Sequence, residues 1–356
     1  MKNTSHSNPK FVFFGTPDIA VTALTEMASF GFIPSLIVCN PDAPVGRKQI
    51  ITPPPTKVWA EAHHLPVFQP AFLPKIPPSN DGHPMTVIGG DDWDFFVVFA
   101  YGKILPEWLI NLPKYGTINA HPSLLPKLRG ASPIRSTLLT DLSAGGVTII
   151  QMDKDLDHGP ILKQQKVVLI EPISGEDLDN TLAHISGNLL VQVMQELPLG
   201  HIIPIPQNND QATFCTKISK DMSLLKIDPT NLPVGKEAKE VYQKICAFAG
   251  WPGTFFFYHD KRIKIKSAHL TETGQLEILR IIPEGKNETD FQQYFQIKKQ
   301  FQFSLPSKTH HFLNTPRSLQ KFIAPFFVCS IEFFLYSSSS VINCFFKIFT
   351  SCFGSV

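Results

Sequence analysis

Four consecutive apolar residues, FVFF at 11–14, run straight into Gly15, Thr16, Pro17 and Asp18. This junction limits the chain more than any other feature. An uninterrupted apolar run of this length is the mark of a strand covered on both faces, as in a parallel sheet. The glycine permits a tight turn. Thr16 suits a helix N-cap, Pro17 the first helical position, and Asp18 the positive end of the helix. Further apolar runs follow at PSLIVCN and DFFVVFAYG, with helical patterns between them. Strands alternating with helices predict an open α/β sheet, Rossmann-like in layout. Ligands of such sheets bind beyond the carboxyl ends of the strands. Tyr101-Gly102 and the segment INAHPS both lie at ends of that kind. Gly15 lacks the second and third glycines of G-x-G-x-x-G, which argues against a dinucleotide site.

The length, 356 residues, suggests two domains. QELPLGHIIPIPQNNDQA (195–212) reads as a helix end followed by a linker. Beyond it, IKIKSAHL and QLEILRII alternate like strands, and a helix is expected over 237–248. A small β-rich second domain is therefore predicted. Overall net charge is only +2, yet residues 213–266 hold ten Lys or Arg against five Asp or Glu. That local excess fits a nucleic-acid footprint, or alternatively a solvated charged face. Six cysteines form no C-x-x-C pair. This disfavours a zinc ribbon and a secreted disulfide framework. The polar start MKNTSHSNPK has no signal-peptide core, so a cytoplasmic location is expected. From about residue 296 the composition turns to Phe, Ser and Cys. Its longest uncharged run, 14 residues, is shorter than a membrane span of about 20. Membrane association, an aggregation-prone appendage and out-of-frame translation all fit this tail, and the last is favoured.

The chemistry concentrates in INAHPSLLPKLRG (118–130). Histidine is the side chain whose unperturbed pKa lies near neutrality, which makes His121 a candidate for proton exchange at cellular pH. Pro122 biases it to an extended backbone. Asn119, two residues earlier, shares its side of a strand. Asp157 lies in GVTIIQMDKDLDHGP, after another strand-like run and just ahead of a Gly-Pro turn. An amide for a developing oxyanion, a base and an orienting acid make an acyl-transfer set that lacks a protein nucleophile. Ser123 has no G-x-S-x-G elbow, so the substrate would supply the nucleophile. Other readings remain open at this point. Asp157 could cap its turn, and Asn119 could be a turn residue. His121, Asp155, Asp157 and His158 are possible metal ligands, although their spacing matches no metal motif.

These segments carry a resemblance. FVFFGTPDIA, NPDAPVGR, LPVFQP, VVFAYGKILP, INAHPSLLPKLRGASPI, GVTIIQMDKDLDHGPIL, ATFCTKISKD, AFAGWPGTFF and PEGK together cover about residues 10–290. They resemble the methionyl-tRNA formyltransferase family of the 10-formyltetrahydrofolate-dependent formyltransferases. The resemblance implies a catalytic domain at 10–194, a linker at 195–212 and an OB-like β-barrel domain that binds tRNA at 213–295. Residues 1–9 would form a disordered N-terminus and 296–356 an aberrant tail. It further implies Asn119, His121 and Asp157 as catalytic residues. The folate-binding positions would be Ser123, Leu124, Leu125 and Pro126, with Tyr101 and Gly102. Arg47 and Lys48 would meet the tRNA acceptor end. The implied donor is 10-formyltetrahydrofolate, without a metal, and the acceptor is methionyl-initiator-tRNA. A monomer without a stable protein partner is expected. Two positions depart from the family. Lys48 is followed by Gln49, Ile50 and Ile51 where lysines are usual, which implies weaker acceptor-arm affinity. His158 stands where threonine is common and could perturb Asp157.

Overall fold

A computed structural model describes residues 8–46, 48–77, 88, 92–170 and 172–296. Arg47 and the tail from residue 297 onward lie outside the described residues. The strands are β1 Phe11–Phe14, β2 Leu36–Val38, β3 Ala43–Val45, β4 Ile50–Thr52, β5 Val67–Phe68, β6 Phe95–Val98, β7 Thr117–His121, β8 Arg129–Gly130, β9 Gly146–Gln151 and β10 Ile161–Lys166. A seven-stranded sheet runs in the order β10-β9-β7-β6-β1-β2-β5. Its β5-β2-β1-β6-β7 part is parallel, while β9 and β10 are antiparallel. The chain first builds outward from β1 to β2 and β5, then returns to add β6 and β7 on the other side. The strand order therefore reverses between β1 and β6, and the carboxyl ends of β1, β6 and β7 open towards one edge.

The helices are α1 Asp18–Ser29, α2 Pro55–Ala62, α3 Glu107–Ile110, α4 Pro133–Thr140, α5 Gly175–Glu196 and α6 Gly235–Ala247. The apolar strand runs are buried on both faces, as their composition predicts. Phe11, Phe13, Ile118, Ala120 and Ile149 join one core cluster with α1 and α5. Val12, Phe14, Phe96, Val98 and Tyr101 join the other with Leu109 and Ile110. Each fully buried phenylalanine contributes about 1.5–3 kcal/mol. One local expectation fails. Pro17, not Thr16, is the N-cap of α1. Thr16 Oγ1 instead donates to the Tyr101 carbonyl (3.3 Å) and accepts from Asn40 N (3.3 Å), tying three loops together. Gly15 is needed for space: a Cβ there would lie 2.8 Å from the Phe99 carbonyl oxygen.

The second lobe is antiparallel, with β12 Phe255–Tyr258, β13 Lys261–Leu270, β14 Leu276–Pro283 and β15 Thr289–Asp290 paired in that order. The expected helix is α6, which starts two residues early, at Gly235. The segment between the lobes is not an idle tether. Ile205 bridges Ile161, and β11, Phe214–Cys215, pairs in parallel with β8. Arg135 of α4 forms a bidentate pair with Asp179 of α5 (2.7 and 2.6 Å) and also donates to the Trp251 carbonyl of the second lobe (3.4 Å). A cavity of about 280 Å³ lies between α4 and α6, and shares no lining residue with the histidine site. Among the described residues no helix is long and apolar enough to cross a membrane.

Candidate active site

Strand β7 delivers the two central side chains. Ile118 and Ala120 point into the core cluster that holds α1 and α5. Pleating therefore turns Asn119 and His121 together to the opposite face, at the carboxyl end of the strand. His121 is 4% exposed. The Asn119 amide makes no hydrogen bond to any described residue. Its Nδ2 hydrogens, unused by the described residues, are what such an amide donates to a substrate oxygen.

The orientation of His121 has an unexpected source. Its Nε2 lies 3.0 Å from the Leu128 carbonyl oxygen. A carbonyl only accepts, so Nε2 carries the hydrogen and donates. Nδ1 faces Asp157 Oδ1 at 3.5 Å, a charge contact too long for a good hydrogen bond. The Leu128 carbonyl thus fixes the ring at Nε2, and the Asp157 carboxylate expected to orient it lies on the Nδ1 side. Leu128 itself sits at φ +58, a left-handed conformation that leucine seldom adopts. Its N–H donates to Thr213 Oγ1 (2.9 Å), and Arg129 N donates to the Thr213 carbonyl (2.8 Å). The inter-lobe segment thus holds the peptide that holds the histidine.

Asp157 is also left-handed, at φ +49, which costs an L-residue about 1–2 kcal/mol. Its Oδ2 accepts from Gly130 N at 2.8 Å. Two residues on, Gly159 is obligatory, because a Cβ there would fall 1.8 Å from the Gln151 carbonyl oxygen. Gln207 secures the loop. Its Nε2 donates to the carbonyls of Asp157 (2.9 Å) and Gly159 (2.8 Å). Its Oε1 accepts from Arg129 Nε (3.1 Å) and Nη2 (2.6 Å). The sequence gives no local sign of Leu128 or Gln207, since a backbone carbonyl has no residue signature and Gln207 acts across about fifty positions.

His158 turns away from its neighbour. Nδ1 pairs with Asp153 Oδ2 at 2.7 Å, and Nε2 accepts from Asn209 Nδ2 at 3.3 Å. Asn209 Oδ1 takes Arg129 Nη2 at 2.9 Å, which fixes the direction of its amide. Asp153, Asp155 and His158 bring potential ligand atoms within 4.8 Å of one another. His121 and Asp157 are not part of that group.

The residues expected to bind folate divide into two kinds. Ser123 is fully buried, and its hydroxyl donates to the Lys127 carbonyl (2.6 Å). Leu125 is buried, and its N–H reaches Thr148 Oγ1 (3.0 Å). These two shape the loop from within. Leu124 and Pro126 are half-buried and keep surface for a ligand. The Tyr101 ring is 2% exposed and packs edge-on against Phe14. Burial pushes its phenol well above the usual range. Its backbone carbonyl, beside the exposed Gly102, is what it presents at the strand ends. Lys48 is exposed at the turn of the β3–β4 ribbon, whose residues Val45, Ile50 and Ile51 are exposed as well. Asp42 at the base of the ribbon pairs with Lys57 (2.9 Å), and that ammonium holds its carboxyl below the usual value.

At the carboxyl end of β7 and in the loop after β9 the chain thus gathers an amide with no hydrogen bond to a described residue, a fixed imidazole and a carboxylate. Residues 10–194 match the formyl transferase family, and residues 234–275 match the formyl transferase C-terminal domain. This is the class the fold and site define. A methionyl-tRNA formyltransferase from a Sulfurihydrogenibium species is 36% identical over 263 residues, 74% of this chain and 81% of that one. The methionyl-tRNA formyltransferase of Halalkalibacterium halodurans is 35% identical over 256 residues, 72% of this chain and 77% of that one. The chain belongs to the methionyl-tRNA formyltransferase family. The fold is shared with a solved N-formyltransferase from Helicobacter canadensis, in complex with folinic acid and dTDP-3-aminofucose. That match has a TM-score of 0.54 at 17% identity and covers 77% of this chain and 100% of that one.

Proposed function

We propose that this chain transfers the formyl group of 10-formyltetrahydrofolate to the α-amine of methionyl-initiator-tRNA, with Asn119, His121 and Asp157 as the reacting constellation. The observation that carries the reading is the Asn119 amide, bonded to no described residue, standing on the same face of β7 as His121, with the Asp157 carboxylate at the ring's Nδ1. The donor supplies the formyl carbon. Asn119 Nδ2 donates to the formyl oxygen as negative charge gathers on it. The amine nitrogen forms the new bond to that carbon while the bond to the folate nitrogen breaks. One proton must leave the amine and one must reach the departing nitrogen. Nε2 is committed to Leu128, so the proton enters and leaves at the Nδ1–Asp157 edge, relayed by a water. The substrate amine is the nucleophile, which accounts for the missing protein nucleophile.

Leu124 and Pro126, with the Tyr101–Gly102 backbone, wall the folate side. Lys48, Arg47 and the basic second lobe serve the tRNA. We place the chain in the cytoplasm as a monomer that uses no metal. The test is Asn119→Ala and His121→Ala with both substrates saturating. Turnover should fall about 10²–10³-fold for the first and about 10²–10⁴-fold for the second, while tetrahydrofolate binding is retained. Near-normal turnover in either variant contradicts the assignment.

A further inference from the structure

We propose that Gln207 is a positioning residue for formyl transfer, holding the left-handed backbone of Asp157 so that its carboxylate faces His121. The inference rests on the reading of the site given above and extends it to the segment between the lobes. Gln207 is 8% exposed. Its amide has only one workable orientation. A guanidinium can only donate, so Oε1 must face Arg129. The carbonyls of Asp157 and Gly159 can only accept, so Nε2 must face them. Contact with the buried Arg129 cation polarises the amide and strengthens both bonds it donates.

The two anchored carbonyls flank His158 and belong to the turn that sets the direction of the Asp157 side chain. From the other side, Gly130 N holds Asp157 Oδ2. Gly130 follows Arg129 directly, so Gln207 links both walls of the carboxylate through a single side chain. Without its two donors, the buried Gly159 carbonyl and the half-buried Asp157 carbonyl lose these bonds, and the left-handed φ of +49 at Asp157 is no longer held. The turn then relaxes, and the carboxylate leaves the Nδ1 side of the ring. Substrate contacts on Leu124, Pro126 and the β3–β4 ribbon stay as they were.

The experiment compares full-length wild type with Gln207→Glu and Gln207→Leu. Glutamate keeps an acceptor for Arg129 but brings no hydrogens for the two carbonyls. Leucine removes both functions. In each variant kcat for formyl transfer should fall about tenfold or more, with KM for donor and acceptor within about twofold of wild type. Ring-nitrogen NMR of His121 should show Nδ1 shifted in both variants, a response that general loss of stability does not produce. Unchanged kcat in folded Gln207→Glu overturns the proposal. So does a loss confined to KM with the His121 resonances unmoved. If Gln207→Leu does not fold, Gln207→Glu decides alone, because Arg129 keeps its acceptor there. Should the wild type formylate no methionyl-tRNA, the functional reading fails, and the His121 resonances still decide the positioning claim.

Discussion

Replacing Asp157 with asparagine isolates the charge from the shape of the site. The substituted side chain keeps one oxygen, which can go on accepting from Gly130 N, now 2.8 Å from Oδ2. The local cost is the difference between a charged and a neutral acceptor, about 1 kcal/mol. At the other oxygen, 3.5 Å from His121 Nδ1, the change is qualitative. An NH₂ group now faces Nδ1 and can only donate to it. Since Nε2 already donates to Leu128, Nδ1 becomes fixed as an acceptor and cannot take the proton of the amine. Proton transfer by a positioned side chain is worth about 10²–10⁴-fold, or about 2.7–5.4 kcal/mol at 1.36 kcal/mol per decade. The assay is single-turnover formyl transfer with both substrates saturating, together with donor binding. The expected result is a fall of about 10²–10³-fold in the transfer step, with donor affinity within about twofold of wild type. A transfer rate within about threefold of wild type would refute the proton path.

Other consequences follow from neighbouring contacts. Thr148 Oγ1 donates to the Ser123 carbonyl and accepts from Leu125 N and Gln164 Nε2. Thr148→Val keeps the volume but orphans buried backbone groups, so denaturant unfolding should show a loss of about 1–3 kcal/mol; an unchanged midpoint would contradict that staple. Lys48→Ala should raise KM for tRNA, leave KM for the folate donor alone and lower the salt slope of tRNA binding by about 1; equal effects on both substrates would remove the ribbon from the tRNA interface. Asp42, held low by Lys57, and Asp141, held low by Ser143 and Lys127, lie below their ordinary value of 3.8 in the fold. The unfolded chain therefore binds more protons in that range, so their stabilisation is complete above 3.8 and is lost as pH falls through the lower folded values. Unfolding midpoints measured down to acid pH should decline there, and less so in the double variant Asp42→Asn, Asp141→Asn.

The sheet and its site edge were readable because their signals are local. FVFF and FFVV are continuous apolar runs and GVTIIQ is a strand-like one; each became a strand, the first two buried throughout and the third up to Gln151. The two-residue spacing of Asn119 and His121 placed both on one face of β7. What escaped the sequence is nonlocal. The ring of His121 is set by a carbonyl whose own peptide is held by Thr213, 85 positions further on. The Asp157 turn is held by Gln207, from a segment whose prolines and polar residues read as a plain linker. The side chains of Ser123 and Tyr101, both expected on the folate side, are buried for reasons no local signal reveals: one bonds within its own loop and the ring of the other packs into the core. The loop expected to meet tRNA is a paired ribbon despite Pro44, because an exposed two-stranded edge tolerates a residue without an N–H.

The most direct measurement uses the full-length chain with 10-formyltetrahydrofolate and, in parallel, methionyl-initiator-tRNA, an amino sugar nucleotide and water as acceptors. Formylmethionyl-tRNA should form at a rate that His121→Ala lowers about 10²–10⁴-fold, with neither of the other acceptors competing. Formyl transfer to the sugar nucleotide or to water, with methionyl-tRNA left unmodified by a folded, folate-binding chain, would contradict the account.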